Sequence, residues 1–251
     1  MQHEWWRSFG EIYLRGGEVE RLDGEAEVEA EAAWKLLGLD AGARIVDAPC
    51  GFGRHAVRLA AWGFEVRGID VDPALLDEAR RRAAAVGVDA VLDEGDLRSL
   101  PVPDAWADAV LNLASSVGLF ASEDDNAAVF DEAYRVLRPG GRLLVETSHR
   151  DSVVAAGFGS SWSERPDGTL VLQRRHFDPV EGRLLQQFTI VGPDGERLER
   201  HLRPRRYALT ELASLLAASG FVDVEFHGGW RGEPVTVTDR VVVVATKSST
   251  A

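Results

Sequence analysis

The sequence predicts an α/β fold with a mostly parallel sheet, and three observations carry this prediction. From residue 44 to about residue 148, short apolar strand-like segments alternate with segments of helical period. The stretch from Ile45 to Ala56, I-V-D-A-P-C-G-F-G-R-H-A, leads from an apolar strand through a glycine-rich turn into a helix. Residues 151–206 instead alternate apolar and polar positions between turn residues, which predicts an antiparallel β insertion.

The alternating part predicts strands with crossover helices between them. In chain order these are strand Arg44 to Asp47, helix Gly53 to Trp62, strand Phe64 to Asp70, helix Pro73 to Val86, strand Ala90 to Leu92, strand Ala107 to Leu113, helix Asp125 to Leu137 and strand Arg142 to Glu146. Pro73 suits a first helical position because its φ is already helical and the N–H it lacks would have no partner there. Pro139-Gly140-Gly141 is expected to end the preceding helix and turn the chain into the fifth strand.

The remaining segments complete this pattern. Ahead of the first strand, Gly24 to Leu37 predicts a helix with an alanine-rich apolar face and a glutamate face that we expect to be solvated. The insertion contains strand-like segments near Leu170 to Phe177, Arg183 to Val191 and Leu198 to Arg203. After it come a helix, Leu209 to Ser219, and two strands, Val222 to His227 and Arg240 to Ala245.

Composition limits the partners of the chain. Its 251 residues are 45% hydrophobic, enough for a sizeable core, and its net charge of −13 makes a nucleic-acid phosphate backbone a poor partner. Cys50 is the single cysteine, so no internal disulfide forms. The first residues lack a secretory pattern, and apolar runs such as Val241 to Ala245 are far shorter than the ~20 residues that span a bilayer. We therefore expect a cytoplasmic protein that binds neither nucleic acid nor membrane.

The glycine-rich turn predicts a ligand with a small anionic group. Gly51 and Gly53 have no side chain to obstruct a ligand, and the following helix offers unpaired N–H groups and the positive end of its dipole. Gly51, Gly53 and Ala56 also match the spacing found in nicotinamide and flavin enzymes. The turn by itself leaves the ligand open.

Further motifs along the chain indicate which ligand the glycine-rich turn binds. They are Asp47-x-x-Cys50-Gly51-x-Gly53, Asp70 at the end of strand two, Glu94-Gly95-Asp96-Leu97, Asp108-Ala109-Val110 and Leu137-Arg138-Pro139-Gly140-Gly141-Arg142. Together they resemble the class I S-adenosylmethionine-dependent methyltransferases, and most closely their small-molecule, type 11/25-like branch. The resemblance is strong over residues 40–148 and looser over residues 205–246. It implies a Rossmann-like seven-stranded sheet, parallel except for a last antiparallel strand, with helices on both faces. One departure is Pro49, where many members have glycine.

The resemblance implies S-adenosylmethionine as cofactor and S-adenosylhomocysteine as product. Asp47 is expected to meet the methionine ammonium directly or through water, aided by backbone carbonyls near Ala48 and Leu113. The methionine carboxylate is expected to face the helix terminus at Gly51 and Gly53, with Arg54 as a candidate partner. A pyrophosphate would instead bring negative charge close to Asp47, which disfavours a dinucleotide.

The adenosine half of the cofactor is expected to meet the ends of strands two and three. Asp70 can accept hydrogen bonds from both ribose hydroxyls, since a carboxylate has two oxygens. Asp96 is expected to accept from the adenine amino group and the Leu97 N–H to donate to the ring, with Val71 packing on the adenine. No histidine or cysteine cluster has metal-ligand spacing, so we expect no metal.

The acceptor is expected at the carboxyl ends of strands four and five, where open α/β sheets bind ligands. Candidate acceptor-binding residues are Ser115, Ser116, His149, Arg205 and Tyr207. His149 is also the candidate general base, the alternative being a loop histidine bonded to the insertion. An amino-terminal aromatic cluster, Trp5, Trp6, Phe9 and Tyr13, is either a core staple or a lid. As a lid it would let Tyr13 contact the cofactor sulfonium and take part in catalysis.

These expectations define a single methyltransferase domain over residues 1–251. It comprises an amino-terminal helical lid at 1–40, a cofactor-binding core at 41–150, a β insertion at 151–206 forming the acceptor pocket, and a carboxy-terminal completion of the sheet at 207–251. We expect methyl transfer to an oxygen, nitrogen or carbon atom of a small molecule by in-line displacement, in a monomer or homodimer. The alternative is a non-catalytic adenosylmethionine- or nicotinamide-binding module that uses the insertion as a partner surface.

Overall fold

The computed structural model describes residues 9–249, which form helices and strands in an alternating order. The helices are α1 (Phe9–Gly16), α2 (Glu18–Leu37), α3 (Ala56–Ala61), α4 (Pro73–Val86), α5 (Glu123–Val136), α6 (Arg150–Ala155) and α7 (Leu209–Ala218). The strands are β1 (Arg44–Asp47), β2 (Glu65–Asp70), β3 (Val91–Glu94), β4 (Ala107–Asn112), β5 (Leu137–Ser148), β6 (Gly159–Glu164), β7 (Leu170–Asp178), β8 (Arg183–Val191), β9 (Arg197–Leu202), β10 (Phe221–His227) and β11 (Arg240–Lys247).

The main sheet has seven strands in the order β10-β11-β5-β4-β1-β2-β3. Strands β1 to β5 pair in parallel, and β11 runs antiparallel between β5 and β10. This confirms the predicted fold class, including the single antiparallel strand. The chain order reverses between β1 and β4, which is the position where open α/β sheets bind ligands at the carboxyl ends of their strands.

Both faces of the main sheet are buried, because successive side chains of each strand enter different cores. Ile45 packs with α3 and α4 residues such as Leu59 and Leu76, whereas its neighbour Val46 packs with Phe130 of α5 and other residues on the opposite face. Central strands buried on both faces are apolar without alternation, which is why β1 and β4 could be located from short apolar runs.

The insertion is a second sheet, antiparallel, in the order β6-β7-β8-β9. Its inner face packs at one end on Ile12 of α1 through residues such as Ile190 and Leu202. At the other end, Phe177 and Leu184 pack on Val153 of α6. Between these contacts Arg175 and Gln186 are partners across β7 and β8.

The main differences from the predicted elements are three shifted starts and two elements that were not predicted. The third helix begins at Ala56 and not at Gly53, because Gly51 and Gly53 adopt left-handed φ angles of 54° and 75°. The second helix begins already at Glu18, and the fifth strand begins at Leu137. Strand β6 and helix α6 were not predicted. Strand β6 is exposed at every position, so it has no buried face and no apolar period.

Between residues 9 and 249, no helix is both long and apolar enough to cross a membrane. Of the amino-terminal aromatic cluster, Trp5, Trp6 and the side chain of Phe9 lie outside the described structure, whereas Tyr13 is described.

Candidate functional site

Two adjoining cavities lie at the carboxyl ends of the main-sheet strands. The first, here named the loop cleft, is bordered by the glycine-rich turn after β1, by the end of β2, and by the loops after β3 and β4. The predicted residues that line it are Tyr13, Gly51, Arg54, Asp70, Val71, Asp96, Leu97, Leu113, Ser115 and Ser116. Residues from distant parts of the sequence therefore line one cleft, while Asp47, Ala48, Gly53, His149, Arg205 and Tyr207 are not among the lining residues.

The second cavity, here named the arginine chamber, lies between α2, the ends of β5 and β11, and the inner face of the insertion sheet. It has a volume of about 870 Å³, within the size range of small-molecule sites. Its arginines are Arg21, Arg54, Arg175, Arg206 and Arg240. It shares a wall with the loop cleft, formed by Tyr13, Leu22, Arg54, Ala114, Ser115, Gln186 and Arg206.

The two glycines of the turn have different roles. A Cβ at Gly51 would meet nothing within 4 Å, so Gly51 leaves backbone open toward the loop cleft. A Cβ at Gly53 would lie 2.9 Å from the Cβ of Ala79, so this glycine allows the turn to pack on α4. The expected contact of Gly53 with the cofactor stays a prediction, and the structure adds a packing reason for glycine there.

Asp70 lies at the carboxyl end of β2 with its carboxylate held by backbone. Its two oxygens accept hydrogen bonds from the Gly51 N–H at 2.8 Å and the Asp72 N–H at 2.9 Å. Burial raises its pKa, and these two N–H groups oppose the shift. Because each oxygen has a second lone pair, both can still accept from a ligand in the loop cleft.

Asp47, at the end of β1, lies beneath the turn and is 1% exposed. Neither of its carboxylate oxygens has a hydrogen-bond partner within the described residues. Burial raises its pKa to about 7, while the nearby Arg54 guanidinium and Ala56 N–H oppose this shift and the Asp70 carboxylate adds to it. A buried carboxylate without a partner is costly, and a cationic group bound next to it would lower that cost.

Asp96 is fixed by an arginine that the sequence analysis did not identify. Oδ1 accepts from the Arg98 backbone N–H at 2.9 Å and from Arg98 Nε at 3.0 Å, and Oδ2 accepts from Arg98 Nη2 at 2.7 Å. The same guanidinium lies 4.4 Å from the centre of the Phe120 ring, which lines the loop cleft. Asp96 therefore reaches the cleft with its orientation set by a bidentate ion pair.

Arg54 lies in the shared wall of the two cavities, and its guanidinium is already paired with residues of α2. It donates through Nη1 to Glu29 of α2 and to the Leu22 carbonyl, and Glu29 also lies 2.9 Å from Nε2 of His55. Although burial opposes it, the contacts with His55 and Arg54 hold the pKa of Glu29 below its usual value. Glu29 is thus an exception to the solvated glutamate face predicted for this helix. Its contacts with Arg54 and His55 hold α2 against the turn before α3.

The loop after β4 is strained and is held in place by Glu146 of β5. Ala114 and Ser115 have positive φ angles of 59° and 63°. The Glu146 carboxylate accepts the Ala114 N–H at 3.0 Å, and the Glu146 backbone carbonyl accepts the Ser115 N–H at 3.0 Å. Strained backbone of this kind is common at functional sites, where surrounding contacts fix it. Here it brings Ser115 into the wall between the cavities.

Residues 203–208, here named the strap, connect the insertion sheet to α7 and cross the loop after β4. The Arg205 N–H donates to the Gly118 carbonyl at 2.7 Å. The side chains of Arg205 and Tyr207 point away from the cavities and contact Glu123 of α5, with Tyr207 Oη donating to it at 2.6 Å. Arg206 points the other way and lines both cavities. Its neighbours Arg205 and Tyr207 were predicted as site residues from the sequence, whereas Arg206 was not.

His149 is buried at the start of α6 and lines neither cavity. Neither ring nitrogen has a hydrogen-bond partner among the described residues. Tyr13 lines both cavities and lies with its ring 6.4 Å from that of Phe52. Of the two predicted catalytic residues, Tyr13 is the one placed at the site. Over residues 9–249, no three His, Cys, Asp or Glu side chains group as a metal site.

Comparison with known proteins agrees with this architecture. A family model described as "Methyltransferase domain" matches residues 45–141. The chain is 24% identical to the putative methyltransferase YqeM of Bacillus subtilis, over 98% of both chains. It is 40% identical to a demethylmenaquinone methyltransferase of Thermus thermophilus, over 55% of this chain and 62% of that relative.

Solved structures show the same fold over almost the whole chain. An S-adenosylmethionine-dependent methyltransferase from Clostridium acetobutylicum superimposes with a TM-score of 0.82 at 16% identity, covering 96% of this chain and 98% of that one. The CcbJ methyltransferase of Streptomyces caelestis gives a TM-score of 0.76 at 21% identity, with 90% of each chain covered. Residues 45–141 therefore match the methyltransferase domain family, and almost the whole chain has the fold of S-adenosylmethionine-dependent methyltransferases.

Proposed function

We propose that this protein transfers the methyl group of S-adenosylmethionine to a small molecule that binds in the arginine chamber. The observation that carries this proposal is the shared wall of the two cavities. A ligand in the loop cleft and a second one in the chamber would both contact Ser115, Gln186 and Arg206, which line both cavities. Relatives of this chain include a 27-O-demethylrifamycin SV methyltransferase of Amycolatopsis mediterranei, 40% identical over 44% of this chain.

The residues of the loop cleft fit the proposed cofactor. The free lone pairs of Asp70 suit the two ribose hydroxyls, and Val71, Leu97 and Phe120 supply apolar walls for an adenine. Asp96 would accept from the adenine amino group. Tyr13 lines the same cleft.

The methionine end would lie over the turn itself. Among the described residues, neither carboxylate oxygen of Asp47 has a hydrogen-bond partner, and the pKa of this group is raised. Both properties are expected of a carboxylate whose partner is the ammonium group of a bound ligand. It does not line the cleft, so we propose that it acts through water or through the backbone between Ala48 and Gly51. Each of the two carbonyls already accepts one hydrogen bond, Ala48 from the Asn112 amide at 3.0 Å and Leu113 from the Ser116 hydroxyl at 2.8 Å. Of the two residues only Leu113 lines the cleft, so its carbonyl is the one proposed to accept from the ammonium group through its second lone pair.

Methyl transfer requires little chemistry from side chains. When bound, the sulfonium of the cofactor supplies an activated methyl group, so the protein has to align the acceptor atom in line with it and exclude water. The strained loop at Ala114 and Ser115 is fixed by Glu146. It forms one side of the space in which the acceptor atom would align with the methyl group. The insertion at 151–206 closes the acceptor side and helices α1 and α2 close the other. The acceptor atom is an oxygen, nitrogen or carbon.

Calorimetry with adenosylmethionine and adenosylhomocysteine tests the cofactor. We expect micromolar binding by the wild type and at least about tenfold weaker binding by Asp70→Asn, since two charge-assisted hydrogen bonds lose strength. Asp93→Asn is the matched control, because this half-buried aspartate of β3 lines neither cavity. Absence of heat with both ligands would refute the proposed function, and unchanged binding by Asp70→Asn would refute the ribose assignment.

A labelled-methyl screen separates an enzyme from a binding module. Wild-type protein with S-[methyl-³H]-adenosylmethionine and pooled metabolites should transfer label to a small molecule. Binding of the cofactor without transfer to any pool would favour the alternative, in which the insertion is a partner surface.

A further inference from the structure

We propose that the methyl acceptor carries a carboxylate group and that Arg206 binds it. This rests on the proposed function and adds the class of acceptor to it. The inference begins with a guanidinium that the fold buries without a counterion.

Arg206 is buried, with 7% of its surface exposed, and its hydrogen-bonding capacity is almost unused. A guanidinium has five N–H donors. Within residues 9–249 its one hydrogen bond is from Nη1 to the Ser115 carbonyl at a long 3.4 Å, and its Nε is buried without a partner. No carboxylate of the described residues forms an ion pair with it.

Two further arginines, Arg175 and Arg240, add to the positive charge around Arg206. Arg175 of β7 also lines the chamber and has a buried Nε without a partner. Arg240 lines it too, but Arg240 donates to Glu146 and to the hydroxyls of Ser115 and Ser148. The nearest buried carboxylate, Glu146, is therefore already engaged.

The other acidic residues of the chamber wall are also occupied or exposed. Glu29 is paired with Arg54 and His55. Asp239 accepts the Thr236 N–H at 2.8 Å, and Glu25 is exposed. Burial and the nearby charges of Arg240 and Arg175 together lower the pKa of Arg206 to about 10, against the opposing effect of Glu146. The guanidinium is therefore still charged at neutral pH.

A buried charge without a partner destabilises a fold, and such a charge facing a cavity points to a ligand of opposite sign. Arg206 faces both cavities from the strap, and Gln186, opposite Arg175 on the insertion sheet, adds an amide beside it. One planar guanidinium flanked by an amide fits a carboxylate. A phosphate dianion would bring a second negative charge toward Glu146, which disfavours it.

The position of Arg206 favours the acceptor over the methionine carboxylate as its partner. The one hydrogen bond of its guanidinium within residues 9–249 is to the loop after β4, and the chamber walls around it come from β5, β11 and the insertion. Arg206 thus faces the side of the site that the acceptor would enter.

Nuclear magnetic resonance on arginine side chains tests the proposal. Protein with ¹⁵N-labelled arginine, saturated with adenosylhomocysteine, is titrated with formate, acetate and benzoate, and in parallel with formamide, acetamide, benzamide and inorganic phosphate. The Arg206 Nε resonance is assigned by its loss in Arg206→Gln. We expect saturable shifts of the Arg206 Nε resonance with a carboxylate and none with the matched amide. In Arg206→Gln, the Nε resonance of Arg175, which lines the same chamber, should report carboxylate binding at least about tenfold weaker than in the wild type.

The control is Arg174→Gln, which removes the same charge from an exposed neighbour on β7. It should bind carboxylate as the wild type does, and both variants should bind adenosylhomocysteine within about twofold of the wild type. Equal shifts with amides, tighter binding of phosphate than of any carboxylate, or equal carboxylate affinity of the two variants would overturn the proposal. So would a loss of adenosylhomocysteine binding in Arg206→Gln alone, because Arg206 would then hold the cofactor.

Failure of the proposed function has a different signature. Wild-type protein that does not bind adenosylhomocysteine would refute the function. The carboxylate and amide titrations of the ligand-free protein would still decide whether Arg206 is an anion site.

Discussion

Replacing Asp47 with asparagine is expected to stabilise the ligand-free protein at neutral and alkaline pH. Burial raises the pKa of this carboxyl group from 3.8 to about 7, so the folded protein holds a proton that the unfolded chain has released. Stability therefore falls as the pH rises from about 4 to about 7 and is constant above that. At ~1.4 kcal/mol per pKa unit, the ionised carboxylate costs the fold about 4 kcal/mol at pH 8.

Urea unfolding of the ligand-free wild type and Asp47→Asn at pH 5 and pH 8 measures this cost. The free energy of unfolding of the variant minus that of the wild type should increase by about 3 kcal/mol between the two pH values, since about two pKa units lie between pH 5 and 7. The burial cost of the amide itself cancels because it does not change with pH. A difference that stays constant within about 0.5 kcal/mol would refute the raised pKa.

The same substitution should weaken cofactor binding while it stabilises the fold. If the ammonium group is the missing partner of Asp47, adenosylhomocysteine should bind Asp47→Asn about tenfold or more weakly at pH 8. Binding to the wild type should tighten between pH 6 and pH 8 as the carboxylate ionises. A variant that is more stable and binds as well as the wild type would show that Asp47 has another role.

Two further substitutions test the packing around the site. Gly53→Ala should lower the free energy of unfolding by about 2–4 kcal/mol, because its Cβ would lie 2.9 Å from that of Ala79 at a φ of 75°. Gly51→Ala, at a φ of 54° but with open space, should cost only about 1 kcal/mol, and equal losses in urea unfolding would contradict the packing role. Tyr207→Phe removes the hydrogen bond to Glu123 and should cost about 1–2 kcal/mol, so an unchanged thermal midpoint would argue against that role.

The sequence was most informative where local rules and tertiary structure agree. Helix α4 was predicted over its full length, because Asp72 caps its first turn and Gly87 ends it in a left-handed conformation. The central strands were located from apolar runs because both of their faces are buried. The acidic residues after β2 and β3 could be placed at one edge of the sheet because parallel strands end together.

The polar partners of the site could not be predicted in this way. The ion pair of Glu29 with Arg54 joins two helices, and its glutamate looks in sequence like the rest of a solvated face. Arg206 is one of many arginines, and only the fold shows that it is buried without a counterion. Strand β6 and helix α6 are short and have few buried residues, so neither has a clear apolar period.

The strap gives the acceptor side of the site a sensitivity to chain length. Neighbouring side chains of an extended segment point in opposite directions, so Arg206 faces the chamber because Arg205 and Tyr207 are held by Glu123. Inserting or deleting one residue before α7 would reverse this order and direct Arg205 or Tyr207 toward the acceptor. Which side chain faces the acceptor therefore depends on the number of residues in the strap as well as on their identity.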